Sequence, residues 1–177
     1  MINVSNEDFL KCIFGSSYIY AHVTSFNYDP NNIPPDKRGY AWSGGYYKDT
    51  PLCDGNQFYT VSLFTPDANG KSRRRKAAFS GCYVVALDDV REKLDIDQVR
   101  RLPQPTMVLK SSLYSEQWLY VLDKPCVSID MLDNLHDGLI TKGLAPNSKD
   151  PGQKGCTRLM RLPEGVNTKA KRIRENN

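Results

Sequence analysis

The run "SGCYVVALDDV" (residues 80–90) is the most apolar in the chain, and it ends on two adjacent carboxylates. Its β-branched and aromatic residues suit a strand, and a strand apolar on both faces belongs in the middle of its sheet. A charge at the end of such a strand is expensive unless something pairs with it, so Asp88 and Asp89 need a reason. Two reasons fit. Hard Mg²⁺ or Mn²⁺ takes oxygen ligands, and carboxylates at a strand end hold such an ion rigidly. Alternatively, the acids open the next turn, with Asp89 capping a helix at "VREKL". Alternation puts Asp88 on the face of Cys82, Val84 and Ala86, and Asp89 on that of Tyr83, Val85 and Leu87. Both can serve one ion only where the strand ends or bulges between them.

Around this strand the pattern predicts a short helix over 5–14, capped by Ser5 or Asn6, and strands over 18–26 and 56–65. Residues 27–55 are dense in Pro, Gly, Asn and Asp and read as a long irregular loop. One or two helical turns fit 91–102. Strands at 105–112 and 116–123 meet at a tight turn. Residues 128–143 form the best helix, with Met131, Leu132, Leu135 and Leu139 on one face, Ser128 at its start and Gly143 at its end. A last strand fits 156–163. Five or six strands with few helices imply an α+β fold with a largely antiparallel sheet.

The bulk properties allow one domain over 1–177 with a real core. No stretch approaches the roughly 18 apolar residues of a membrane span. The five cysteines lie at least 29 residues apart, which excludes a Cys-x-x-Cys zinc pair. Their odd number and the absence of an apolar leader at residue 1 point to reduced, buried thiols in a cytoplasmic protein. The net charge of +4 permits nucleic-acid contact without demanding it. Residues 169–177 form a basic polar tail.

Three further stretches carry candidate chemistry. "SSLYSEQWLYVL" (111–122) places hydroxyls at a tight turn, which suits phosphate oxygens or an ordinary Ser-rich hairpin. "TRLMRLPEGVNTK" (157–169) offers Arg158 and Arg161, which an extended strand points to opposite faces, and Lys169 beyond the Glu-Gly turn. It reads as a solvated basic hairpin or as an anion clamp. "KSRRRK" (71–76), with Lys71, Arg73, Arg74 and Arg75, is an exposed charged loop or a track for a nucleic-acid backbone. The aromatics of "GYAWSGGYY" (Tyr40, Trp42, Tyr46, Tyr47) either stack on bases or staple the long loop to the core.

Taken in order, "YVVALDDV", "SSLYSEQWLYVL" and "KDPGQKGCTRLMRLPEGVNTK" resemble the catalytic domain of archaeo-eukaryotic-type primases, in the phage and plasmid branch (RepB-like and primase–helicase types). The resemblance covers roughly residues 56–170 and is most specific in the last stretch. It implies an RRM-like core with a second small α/β module. It also implies template-directed primer synthesis from nucleoside triphosphates on single-stranded DNA, with a fused or separate replicative helicase as partner. By that pattern Asp88, Asp89 and Asp150 hold Mg²⁺ or Mn²⁺. Ser111, Ser112 and Gln117 meet the incoming nucleotide, and Arg158, Arg161 and Lys169 stand near its phosphates, with Asn167 shaping the turn. The basic run and Trp42 would contact the nucleic acid. Many relatives carry an Asp-x-Asp pair and a histidine in the second motif. Here the acids are adjacent, Gln117 stands where that histidine would, and the only histidines are His22 and His136. A different class also fits the pattern, a non-catalytic RRM-like module that binds single-stranded nucleic acid. A relaxase-like initiator is disfavoured because the two histidines are scattered. The chain fits either the N-terminal part of a longer primase–helicase or a lone core.

Overall fold

The computed structural model describes residues 4–29, 32–34, 36, 42–144 and 155–168. Asp150, Lys169, Tyr40 and the basic tail lie outside these residues. Among the described residues eight strands form two four-stranded sheets, and every strand pairing is antiparallel. The first sheet has the order β2 (Gly45–Tyr46), β1 (His22–Phe26), β3 (Asn56–Thr60), β8 (Leu159–Arg161). The second has the order β4 (Ser62–Phe64), β5 (Phe79–Val90), β7 (Glu116–Cys126), β6 (Met107–Lys110). The α+β, antiparallel expectation holds.

The predicted strand 56–65 is in fact two strands in two sheets. Val61 is the residue between them. Its N–H donates to the Arg158 carbonyl (3.3 Å), beside the first sheet, and its own carbonyl accepts from Tyr83 N (2.9 Å), in the second. One core cluster therefore spans both sheets. It joins Phe9, Leu10, Ile13 and Phe14 of helix α1 (Asn6–Phe14) to Val23, Tyr59 and Met160 of the first sheet and Val84, Ala86 and Leu119 of the second. A smaller cluster gathers Leu87, Val90, Leu94 and Val99 around the far end of β5 and helix α2 (Ile96–Val99).

Ser5 caps α1 by accepting from Asp8 N, as expected. Residues 15–20 form a 3-10 helix, so β1 begins four residues later than the alternating pattern suggested. Helix α3 (Ile129–Thr141) is capped by Ser128, but its buried face is not the predicted one. Met131 and Leu135 are exposed (65% and 42%), whereas Leu132 and His136 are buried and Leu139 packs on the smaller cluster. The stripe keeps Leu132 and Leu139 and is rotated by about half a residue step, roughly 50°. The reason is polar: His136 turns inward, and its Nδ1 accepts from Gly155 N (3.2 Å). All five cysteines are free thiols, and only Cys82 and Cys156 are buried. No described helix is long and apolar enough to cross a membrane.

The rotated face predicts a contrast in stability. Leu132→Ala should lower the unfolding free energy by about 2–5 kcal/mol, and Met131→Ala by no more than about 0.5 kcal/mol. Urea denaturation of the two variants measures both.

Candidate active site

Regular pairing between β5 and β7 stops just before the acids. Leu87 faces Trp118, yet Val90 faces Glu116, so β5 advances three residues where β7 advances two. The surplus residue is a bulge. Asp89 adopts φ 55° and Arg91 φ 73°, both in the left-handed region. Asp enters that region at little cost, Arg less readily. The Asp89 carbonyl then accepts from the amides of Glu92, Lys93 and Leu94 and closes the following turn. Asp89 does not cap a helix. That role belongs to Asp95, at the start of α2.

The bulge turns both carboxylates toward one face of β7. Asp88 Oδ1 accepts from Gln117 Nε2 (3.0 Å) and from the Asp89 amide (2.9 Å). Asp89 Oδ1 accepts from Ser115 Oγ (3.4 Å). Ser115 immediately precedes β7, and Gln117 lies two residues on, within it. The Lys93 ammonium lies 2.6 Å from Asp89 Oδ2.

Gln117 also ties the two sheets together. It is buried, and its Oε1 accepts from the Arg161 amide (3.2 Å) on β8. Beyond β8 the segment Leu162–Gly165 turns, with Gly165 N donating to the Leu162 carbonyl (3.2 Å). A Cβ on Gly165 would stand 3.0 Å from the Gln57 amide nitrogen, so glycine permits this close approach. Glu164 fastens the turn to α1, accepting from Asn6 N (2.9 Å), while its own amide donates to Asn6 Oδ1 (3.1 Å). The chain then brings Asn167 to the Ser-rich turn, where its Nδ2 donates to the Ser111 carbonyl (3.5 Å).

The two arginines part company, although Arg158 lies just before β8 and alternation along that strand does not govern it. Arg158 is buried and donates to the Ala86 carbonyl (2.6 Å), two residues before Asp88. Arg161 lies on the opposite face, stacked on the Phe58 ring (4.9 Å) and donating to Asn56 Oδ1 (3.2 Å). In the Ser-rich turn the amides of Ser111 and Ser112 both donate to the Ser115 carbonyl, and the Ser111 hydroxyl does too. The Ser111 and Ser112 amides are thereby engaged within the turn. Of the basic run, Lys71 and Arg75 are exposed. Arg73 pairs with Asp67 (2.8 Å) and, with the Lys71 and Asn69 amides, holds that carboxyl down at about 2. Arg74 donates to the carbonyls of Thr157 (2.9 Å) and Trp42 (3.5 Å). Trp42 packs on Phe26 and Phe58. His22 is far from a motif role: it bonds Ser72 Oγ (2.8 Å), and burial holds its pKa down to about 4.

Two site residues escaped the sequence reading. Ser115 touches Asp89, and its spacing of two from Gln117 was the available signal. Asn56 is fully buried and holds Arg161, and nothing in its local pattern marks it.

No family model matches the chain, and no curated protein matches it in sequence. Among solved structures, it is similar to the archaeo-eukaryotic primase (AEP) domain of the cyanophage S-2L primase-polymerase, with a TM-score of 0.56 over 89% of this chain and 80% of that one, at 12% identity. The chain has the AEP primase-polymerase fold. Two antiparallel sheets with few helices are what that fold requires of these residues. At 12% identity the likeness speaks to architecture, and the chemistry must be argued from this chain's own side chains.

The separation of the arginines gives a measurable contrast. Arg158→Met leaves the buried Ala86 carbonyl unpaired and should cost about 3 kcal/mol of stability. Arg161→Met should cost less than about 1 kcal/mol. Thermal or urea unfolding of the two variants checks the assignment.

Proposed function

We propose that this protein is the catalytic domain of a DNA primase or primase-polymerase, joining nucleoside triphosphates on a single-stranded DNA template during phage or plasmid replication. The observation that carries this reading is the bulge that aims Asp88 and Asp89 at one face of β7, on the AEP primase-polymerase fold. The acid pair fits Mg²⁺ or Mn²⁺. It is a hard-oxygen donor set, and a cation, the Lys93 ammonium, already sits against Asp89. Among the described residues no cluster of three such ligands assembles, so Asp150 enters as a third ligand on the resemblance alone.

The reaction forms a bond from the primer 3′-oxygen to the α-phosphorus and breaks the bond to pyrophosphate. Such chemistry needs positioning and charge neutralisation more than covalent help. A divalent ion bound by the acids supplies a Lewis acid for the phosphoryl oxygens and lowers the pKa of the attacking hydroxyl. Gln117 holds Asp88 in one orientation through its amide, and Ser115 steadies Asp89. Arg161, presented by Asn56, offers its planar guanidinium to the triphosphate, with Lys169 beyond the turn. Asn167 locks that turn to Ser111, while Ser111 and Ser112 supply hydroxyls. Arg158 acts from behind, holding the β5 backbone just ahead of Asp88.

The test is primer synthesis and extension by the purified protein on single-stranded DNA with Mg²⁺ or Mn²⁺ and nucleotides. Product should form, and Asp88→Ala should reduce its rate on the order of a hundredfold or more. Full activity in Asp88→Ala would remove the acids from the mechanism.

A further inference from the structure

The outer face of the first sheet carries a pile of flat groups that leads away from the acids. Arg161 lies over Phe58 (4.9 Å). Phe58 is stacked with Phe26 (5.8 Å, 25°), and Phe26 with Tyr28 (4.9 Å, 22°). Trp42 braces the pile from the side, edge-on to Phe26 and tilted against Phe58. Phe58 and Phe26 are buried, but the last ring, Tyr28, is 41% exposed. Tyr28 is also held in place. Its carbonyl accepts from Asn56 Nδ2 (3.2 Å) and Thr168 Oγ1 (2.8 Å), so the residue that presents Arg161 also pins the backbone that carries the outermost ring.

From this geometry we propose that Tyr28 is a base-stacking platform for single-stranded nucleic acid, deepening the primase reading on which it rests by placing the strand along the first sheet. A pre-ordered aromatic plane stacks on any base, independent of sequence. The charges nearby suit a polyanion. Arg161 starts the pile, and Arg74 reaches the Trp42 carbonyl, its partners among the described residues being carbonyls and not carboxylates. Hydrogen bonds link the pile to the acid site, because the Arg161 amide bonds Gln117, and Gln117 bonds Asp88. Of the aromatics marked by sequence, Tyr46 and Tyr47 serve another purpose. Tyr46 is buried with its hydroxyl on the Phe64 carbonyl, and Tyr47 packs against Tyr18.

The experiment is fluorescence anisotropy of a labelled oligothymidylate with the whole protein, without divalent metal or triphosphates, so that it stands or falls apart from catalysis. Tyr28→Ala should weaken binding roughly five-fold or more, and Tyr28→Phe should restore it. An oligonucleotide of abasic units should bind the wild type and Tyr28→Ala equally, because the stacking partner is gone. Thymidine monophosphate at equal nucleotide concentration should not displace the strand. Wild-type affinity in Tyr28→Ala, no binding by the wild type, an undiminished Tyr28 effect on the abasic strand, or full displacement by the free nucleotide would each overturn the proposal.

Discussion

A strand in regular register sends adjacent side chains to opposite faces, so Asp88 and Asp89 could not act together on an unbroken β5. The surplus residue between Leu87 and Val90 removes that constraint, and much of the site follows from it. The bulge places Asp89 in the left-handed region, where its carbonyl collects three amides of the next turn. It also rotates its carboxylate to the side where Ser115 and Gln117 wait. Left-handed backbone at Arg91 costs on the order of 1–3 kcal/mol, and at Asp89 less. The apolar packing of Leu87, Val90, Leu94 and Val99 directly beneath offsets that cost.

The site is held from the other sheet by hydrogen bonds between buried groups. Gln117 reaches Asp88 with its nitrogen and the Arg161 amide with its oxygen, so the distance between the acids and the arginine strand depends on one side chain. Arg158 adds a second tie to β5 through the Ala86 carbonyl, and Val61 a third through the backbone. These ties lie in or beside a single core, which lets two small sheets behave as one scaffold for the acids and their partners. Rigid elements position such groups more accurately than loops do.

The sequence made some of this legible and hid the rest for physical reasons. The apolar β5, the capped helices and the antiparallel pattern follow from local propensity and periodicity, and the structure has them. Arg158 and Arg161 do point apart, but Arg158 lies before β8, so its direction is set by its bond to the Ala86 carbonyl and not by alternation. The need for a bulge at the acids was also readable, but not its position, because the left-handed turn is set by pairing with a strand about thirty residues away. The split of residues 56–65 between two sheets left no mark, since both strands are largely buried. The helix face of α3 was misjudged because counting apolar residues misses a buried histidine bonded to a distant amide. Asn56 and Ser115 were missed for a related reason. Their importance lies in partners brought close by the fold.

The central claim is that Asp88 and Asp89 share one cation because the bulge puts them on one face. Mn²⁺ binding, followed by electron paramagnetic resonance on the wild type, Asp88→Asn and Asp89→Asn, tests this most directly. A shared site predicts that each substitution alone weakens the same binding event by about tenfold or more. Wild-type Mn²⁺ affinity in either variant would contradict it.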